Sequence, residues 1–170
     1  MRTNKIIVED YNPNWPDEFL KIASEIKTAL GDTALGAEHI GSTSVAGLCA
    51  KPIIDIDVII PSRLELGEAI EKLGLIGYIH EGNLGIPDRE AFKYEGKPHL
   101  MTHHLYVCPA NSTELLRHII FRDYLRACPE KAKAYGEIKK KAAELFPDDI
   151  DKYIEYKAEF IEGVYKACGV

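Results

Sequence analysis

The sequence predicts an α+β domain in which a mixed β-sheet is flanked by helices and three further helices close the chain. Short apolar, β-branched segments typical of strands lie between residues 34 and 108, whereas the pattern from residue 111 onward is helical. The length of 170 residues fits a single domain over residues 1–170, since domains most often contain roughly 100–150 residues. One core and one site are therefore expected.

Two helices and two strands are predicted in the first half of the chain, after an extended segment over residues 5–9. A helix over residues 14–30 follows from its helical spacing of apolar residues, with Pro16 in the first turn and Gly31 at the end. Strands are predicted over residues 34–40 and 52–60, and the β-branched character of the second suggests a position covered on both faces. Ser62 and Glu65 form a capping box for a second helix, which Gly74 is expected to end in a left-handed conformation.

Three short strands and three helices are predicted in the second half. The strands cover residues 78–81, 91–94 and 100–108, and residues 95–98 are expected to join the last two as a hairpin. The helices are expected to begin at Asn111, Pro129 and Asp148 and to end near residues 128, 146 and 167.

Composition and charge narrow the classes of function. The chain is 46% hydrophobic and 28% charged, and no stretch approaches the roughly 18 consecutive apolar residues of a membrane helix. We therefore expect no membrane association, and the N-terminal residues lack a signal-peptide pattern, which favours a cytoplasmic location. The net charge of −6 disfavours nucleic acid as a partner, because its binding depends on cations that neutralise phosphates.

The cysteine and lysine patterns carry weaker signals. The four cysteines include no C-x-x-C pair, so reduced thiols are expected rather than a zinc site or a disulfide framework. A basic run near the C-terminus indicates either a local basic patch or, as we prefer, a solvated helix face. Its members are Lys131, Lys133, Lys139, Lys140 and Lys141.

Asp55 and Asp57 stand out in the most apolar segment of the chain. The period of two along a strand places both carboxylates on one face, with their Cα atoms about 6.5 Å apart. Two ionised groups in such a strand need compensation, which a divalent cation can supply. We therefore predict that this pair binds Mg²⁺, with Mn²⁺ as the alternative cation. The competing interpretation is a solvent-facing strand end where both groups bond lysines or helix N-termini.

A polar turn lies thirteen residues before this pair. Gly41 allows a close approach of the backbone to a ligand, and the next three residues offer hydroxyl and amide donors for phosphate oxygens. These residues are Ser42, Thr43 and Ser44. Lys51, Arg122 and Arg126 are candidate cations for the remaining phosphate charge. Alternatively, the turn has no ligand and the cations lie on helix faces.

Together these residues resemble a known constellation, in which a Gly-Ser turn precedes Asp-x-Asp on the next strand. That arrangement is the signature of the nucleotidyltransferase superfamily, which includes polymerase-beta-like enzymes. The longer stretch HIGSTSVAGLCAKPIIDIDV at residues 39–58 resembles the hallmark segment of the GrpB family, as do four other stretches. These are YNPNWPDEF at 11–19, HHLYV at 103–107, FRDYLR at 121–126 and the closing helix with Tyr156 and Lys157.

The resemblance implies the nucleotidyltransferase fold and metal-dependent transfer of a nucleoside monophosphate. The partners would be a nucleoside triphosphate and a small-molecule or protein acceptor. The sequence departs from the family pattern at Ala46, where proline is common, and at Tyr106, where a second histidine is common. Two other functions fit the same fold. One is a catalytically inactive module that binds a nucleotide or another phosphate ligand, and the other is a folding-accessory or partner protein.

The third carboxylate of active nucleotidyltransferases is not evident on the strand over residues 100–108. That strand offers His104, which could act as general base, as a nitrogen ligand or only as a structural residue. Glu81 and Glu90 are candidate substitutes from neighbouring segments. A zinc site built from His99, His103 and His104 is disfavoured, because the last two point to opposite faces of one strand.

Overall fold

A five-stranded sheet and five α-helices make up the computed structural model, which describes residues 5–170. The strands are β1 (Gly36–Ile40), β2 (Ile54–Ile60), β3 (Tyr78–Gly82), β4 (Glu90–Tyr94) and β5 (His103–Pro109). The helices are α1 (Trp15–Leu30), α2 (Leu66–Leu75), α3 (Thr113–Ala127), α4 (Pro129–Leu145) and α5 (Ile150–Cys168). The predicted α+β class and the three closing helices are confirmed.

The strand order is β1-β2-β5-β4-β3, and the sheet is mixed as predicted. β2 and β5 run parallel, whereas the other three neighbouring pairs are antiparallel. The register sets Asp55 beside His104 and Asp57 beside both Tyr106 and Glu38. Residues opposite each other in a ladder share a face, so this register decides which side chains meet at the site.

The two faces of the sheet differ in their cover. One face packs against α1 and α2 through a core that includes Ile54, Ile56, Val58 and Ile60. A second apolar cluster lies among the C-terminal helices and the loop that precedes β2; its buried members are Val45, Leu48, Leu125, Ala132 and Tyr135. The face of β2 that carries the aspartates lies on the side of these helices, which supply His118 from α3.

Several predicted element ends are wrong by one to three residues. Ser112 and Asp149 cap α3 and α5, because their side chains accept the backbone N–H of the residue three positions later, at 3.2 and 3.1 Å. α2 continues past Gly74 to Leu75, and Gly77 takes the positive φ of +96°. β4 and β5 are antiparallel neighbours as the predicted hairpin requires, but residues 95–102 join them rather than residues 95–98.

No helix within residues 5–170 combines the length and apolar character that crossing a membrane requires. The four cysteines are unpaired in this part of the chain, and Cys49 and Cys108 are buried. The cytoplasmic location stays a prediction.

Candidate functional site

The loop between β1 and β2 begins with a backbone conformation that only glycine adopts readily. Gly41 has φ +75° and ψ −176°, and Ser42–Ser44 follow as one turn of 3-10 helix. A Cβ atom at Gly41 would collide with the Asp55 carboxylate and would lie 3.1 Å from its Cγ. The glycine therefore lets the turn pack directly against the first aspartate.

Side chains from three elements hold this turn in place. The Ser44 hydroxyl donates to the carbonyl oxygen of Gly41 at 2.5 Å, and Thr43 Oγ1 lies 2.9 Å from His39 Nε2. The His39 ring stacks on Phe19 of α1 with their centroids 4.6 Å apart, and burial lowers the pKa of His39 to about 4. His39 is thus a neutral structural residue at physiological pH.

Asp55 lies on β2 between this turn and β5. It is partly buried, and its Oδ1 lies 3.0 Å from Nδ1 of His104, whose side chain is 50% exposed. An ionised carboxylate only accepts, so this contact assigns the proton of His104 to Nδ1 and leaves Nε2 as a lone-pair acceptor.

Asp57 lies on the same face but is 0% exposed. Its Oδ2 lies 2.6 Å from Nδ1 of His118, and Nε2 of the same ring lies 3.3 Å from Glu114. Burial alone would lower the pKa of His118, but the hydrogen bonds that His118 donates to Asp57 and Glu114 outweigh burial and raise it to about 9. Burial raises the pKa of Asp57, and the bond from His118 opposes that rise. Oδ1 of Asp57 is buried and has no hydrogen-bond partner among the described residues.

A cavity of about 140 Å³ opens beside Asp55. Its lining comes from the Gly41 turn, the segment before β2, β2 itself, β5, α4 and α5. The lining residues are Ser42, Thr43, Ala50, Lys51, Ile53, Asp55, His104, Lys139, Tyr153 and Lys157. Three lysines thus surround one cavity, and among residues 5–170 none of them has a carboxylate oxygen within 4.0 Å. Lys139 is only 2% exposed.

Aromatic rings and burial define the surroundings of these lysines. Nζ of Lys51 and Nζ of Lys157 lie 5.5 and 4.5 Å from the Tyr153 ring centroid, and Nζ of Lys139 lies 5.1 Å from that of Tyr135. Burial lowers the pKa of Lys139 to about 7 and that of Lys157 to about 8, and it lowers the pKa of Lys51 as well. Such a cluster favours an anion, which would restore the charge that burial penalises.

The predicted site residues divide into those the fold brings together and those it does not. Ser42, Thr43, Lys51, Asp55 and His104 line the cavity, and Gly41 and Asp57 lie directly beside Asp55. Ser44 lies on the other side of the loop, where its carbonyl oxygen accepts two bonds from Arg126 at 3.0 and 2.8 Å. Ser44 belongs to the same loop as the cavity-lining Ser42 and Thr43, so Arg126 holds this loop on the side away from the cavity.

Arg122 does not line the cavity. Its NH1 donates to Glu38 Oε2 at 2.6 Å and to the carbonyl oxygen of His39 at 3.1 Å, and its Nε donates to Asp123. This arginine connects α3 to β1.

No carboxylate of β5 lies beside the aspartate pair. On β5 the positions that face Asp55 and Asp57 are His104 and Tyr106, whereas on β1 Glu38 lies beside Asp57 and pairs with Arg122. Glu90 pairs with Val107 and therefore faces the opposite side, where it bonds His80 at 3.0 Å, while Glu81 is exposed. Within residues 5–170 no group of three or more histidine, cysteine or acidic side chains is arranged to hold a metal ion.

His103 occupies the other face of the sheet, opposite to His104 as the strand period predicts. Its Nε2 lies 2.7 Å from the Tyr78 hydroxyl, and its Nδ1 lies 2.8 Å from the carbonyl oxygen of Met101. It is a buried structural histidine, which removes the basis for a three-histidine zinc site.

Sequence reasoning missed several residues around the cavity. Lys139 belongs to the basic run interpreted as a solvated helix face, and that interpretation is wrong for it, whereas the adjacent Lys140 is exposed and pairs with Asp10. A signal was available, since residues 132, 135, 136, 139 and 142 form the buried stripe of α4. Lys157 was indicated only by the family resemblance of the closing helix, and no local pattern indicated His118.

The protein-family model described as GrpB protein matches residues 5–167. The chain is 35% identical to the UPF0157 protein YqkA of Bacillus subtilis over 93% of its own length and 46% of that protein. A UPF0157 protein of Pseudomonas aeruginosa is 37% identical, over 93% of this chain and 65% of that protein. The chain thus spans about half to two thirds of the length of these two relatives.

Two sets of solved structures share the fold. The crystal structure of conserved protein GrpB from Enterococcus faecalis is 37% identical with a TM-score of 0.81, covering 96% of this chain and 100% of that one. The GLD-2/RNP-8 complex gives a TM-score of 0.58 at 13% identity, covering 78% of this chain and 55% of that one. The Cid1 poly(U) polymerase gives a TM-score of 0.55 at 15% identity, covering 81% of this chain and 44% of that one. These distant matches support the nucleotidyltransferase-like fold alone. On the family model and these relatives, the chain belongs to the GrpB family.

Proposed function

We propose that this protein binds a nucleoside triphosphate by its phosphate chain and transfers the nucleoside monophosphate to an acceptor hydroxyl. The observation that carries the proposal is a set of three lysines that have no carboxylate partner within residues 5–170 and that face the Gly41 turn and Asp55 across one cavity. A triphosphate brings about four negative charges, which three ammonium groups and the donors of Ser42 and Thr43 can largely balance.

The size of the cavity favours the phosphates over the rest of the nucleotide. Sites for whole drug-sized ligands measure roughly 300–1,000 Å³. The cavity measures about 140 Å³ and its lining is mostly polar, so it suits a phosphate chain whose sugar and base remain outside. This leaves the specificity for the base to residues around the cavity mouth.

The aspartate pair suits a divalent cation, because Oδ1 of Asp57 is a buried oxygen with no hydrogen-bond partner in the described part of the chain, and Asp55 lies two positions before it on the same face. Mg²⁺ or Mn²⁺ bound by Asp55 and Asp57 would neutralise charge that develops on the phosphates. Two protein ligands leave the other coordination positions to water and phosphate oxygens, which is usual for Mg²⁺.

His104 is suited to remove the proton of the acceptor hydroxyl. Its Nδ1–H donates to Asp55, which orients the ring and stabilises the imidazolium that forms when Nε2 takes a proton. Asp57 is held by the His118 imidazolium, so its position does not depend on the acceptor.

A second function is favoured by one specific observation. β5 places His104 and Tyr106, rather than a carboxylate, beside the aspartates. A protein that lacks the third carboxylate could bind and sense a nucleotide or another phosphate ligand without turnover.

Pyrophosphate release decides between the two functions. The protein is incubated with each nucleoside triphosphate, Mg²⁺ and a panel of hydroxyl acceptors, including sugars, nucleosides and protein, and released pyrophosphate is measured. Release by the wild type and by Lys140→Met, with loss in Lys139→Met and Asp57→Asn, supports the transferase. Magnesium-dependent binding without release supports the sensor, and neither binding nor release rejects both.

A further inference from the structure

Lys139 differs from the other cavity lysines in its position. It lies within the buried stripe of α4, where Tyr135 precedes it by one helical turn and Ala142 follows by another. At 2% exposure it is the most buried of the three lysines. Within the described residues its Nζ has no carboxylate partner and no hydrogen bond that would offset the cost of burying the charge. It lines the cavity beside Asp55.

The charged and titratable groups that face Lys139 come from every element around it. They are Cys49 and Lys51 from the segment before β2, Asp55 from β2 and Lys157 from α5, with the Tyr135 ring on α4 itself. Two cations thus act against one carboxylate and one thiol, and burial is the largest effect. The pKa of Lys139 is lowered to about 7, so the ammonium and the amine are about equally populated at neutral pH.

We propose that Lys139 is the general acid of the transfer and gives its proton to the pyrophosphate as it leaves. This inference rests on the proposed function, because it places the leaving phosphates among the lysines. The acceptor oxygen forms a bond to the α-phosphorus, and the bond from that phosphorus to the bridging oxygen breaks. Its electron pair stays on the bridging oxygen, which takes the Nζ proton of Lys139. The acceptor's own proton passes to His104, and water then reprotonates Lys139.

Lys139 suits this role better than its two neighbours. A general acid is most efficient when its pKa lies near the working pH, since it must lose the proton in one step and regain it in the next. The arriving triphosphate stabilises the ammonium form, so Lys139 takes up a proton on binding and is charged before the reaction. Lys51 and Lys157 lie over Tyr153 and remain as electrostatic partners of the phosphates.

Proton uptake tests whether Lys139 contacts the leaving group, independently of turnover. Inorganic pyrophosphate is titrated calorimetrically at pH 8 in two buffers with different ionisation heats, which gives the number of protons bound. At this pH the lowered pKa leaves Lys139 largely deprotonated, so wild type should take up a substantial fraction of a proton more than Lys139→Arg or Lys139→Met. Lys140→Met, on the exposed side of α4, should match wild type. Equal uptake by wild type and both Lys139 variants would overturn the proposal.

Leaving-group dependence tests the proton transfer itself. Triphosphate analogues whose β,γ-bridging carbon carries hydrogen, chlorine or fluorine release bisphosphonates whose basicity decreases in that order. With the acid in place the rate should vary little along this series. In Lys139→Met and Lys139→Arg the rate should fall about 100-fold or more for the most basic leaving group and much less for the least basic.

These experiments distinguish a failure of this inference from a failure of the proposed function. Turnover by wild type with the same leaving-group slope in both variants would reject Lys139 as the acid and leave the transferase standing. Absence of pyrophosphate release by wild type from every triphosphate would reject the transferase and, with it, the proton transfer. A fall of equal size along the whole series would indicate a positioning role and also reject the acid.

Discussion

The two faces of β2 show how one strand serves two purposes. Ile54, Ile56, Val58 and Ile60 on one face are fully buried in the core with α1 and α2. On the other face Asp57 is also fully buried, whereas Asp55 is partly exposed at a cavity lined by lysines, and each aspartate contacts a histidine. The apolar face gains stability from contact, whereas the polar face keeps charges that oppose burial. The comparison predicts that substitutions on the first face change stability and that substitutions around the second change function.

The largest expected effect is on turnover in Asp57→Asn. The amide keeps the size of the side chain but loses the charge, so turnover should fall at least about 1,000-fold. The matched change on the other face is Ile56→Val, which should lower the free energy of unfolding by about 1 kcal/mol and leave turnover within about twofold. Steady-state kinetics and chemical denaturation measure the two quantities. Full activity in Asp57→Asn would show that the aspartate face is structural.

Gly41→Ala should give the next largest effect, because the added Cβ meets the Asp55 carboxylate in a backbone conformation that alanine adopts poorly. We expect destabilisation of roughly 2–4 kcal/mol together with loss of phosphate binding. Gly47→Ala is the control in the same loop, since Gly47 also has a positive φ of +82° but open space at its Cβ position. It should cost about 1 kcal/mol and keep binding. Equal effects of the two substitutions would mean that contact with Asp55 is unimportant.

Lys139→Met sharpens the contrast by separating stability from function. Replacing a buried, unpaired lysine by an apolar side chain of similar length should raise the free energy of unfolding by roughly 1–3 kcal/mol while phosphate binding weakens.

The folded state binds the Lys139 proton less tightly than the unfolded state, whose lysine pKa is near 10.5. Lys139 therefore opposes folding most below pH 7, and the gain in Lys139→Met should shrink as the pH rises from 7 to 10. Lys140→Met should stay within about 0.5 kcal/mol at every pH. A destabilised Lys139→Met would contradict the assigned surroundings of this lysine.

The smallest expected effect is the pH dependence of anion affinity. Sulfate keeps its charge between pH 6 and 9, so a change in its affinity reports on the protein. Protonated Lys139 and Lys157 attract it, and they lose their protons as the pH rises through about 7 and 8. The affinity should be highest near pH 6 and fall about tenfold by pH 9, as measured by competition with a fluorescent triphosphate. In Lys139→Met most of the fall should be confined to the range near pH 8. An affinity independent of pH would remove both lysines from the anion site.

The features that could be predicted from the sequence are those set by residues close to one another along the chain. The class of fold and the common face of Asp55 and Asp57 follow from local periodicity, and the family resemblance is confirmed by the GrpB model. Gly41 comes close to Asp55 because β1 and β2 are antiparallel neighbours joined by the intervening loop, a short-range arrangement. Helix caps were misplaced by one residue because adjacent polar residues such as Asn111 and Ser112 can both serve as caps.

The rest of the site depends on packing between distant segments. Lys139 and Lys157 come from helices that begin about seventy or more residues after β2, and no local pattern specifies which of their faces meets the cavity. The pairing of Arg122 with Glu38 and of His118 with Asp57 depends in the same way on how α3 lies across the sheet. For the part of the cavity that the C-terminal helices supply, the available sequence signal is a charged residue within an apolar helical stripe, as at Lys139.

The most direct measurement is calorimetric titration of the four nucleoside triphosphates, with and without Mg²⁺, into wild type, Asp55→Ala/Asp57→Ala, Lys139→Met and Lys140→Met. The proposed site predicts binding by wild type and Lys140→Met, strengthened by Mg²⁺. The magnesium effect should be lost in the aspartate variant, and the affinity should fall at least about tenfold in Lys139→Met. Absence of binding by every triphosphate, or equal affinity in all four proteins, would contradict a nucleotide site at the aspartate and lysine cavity.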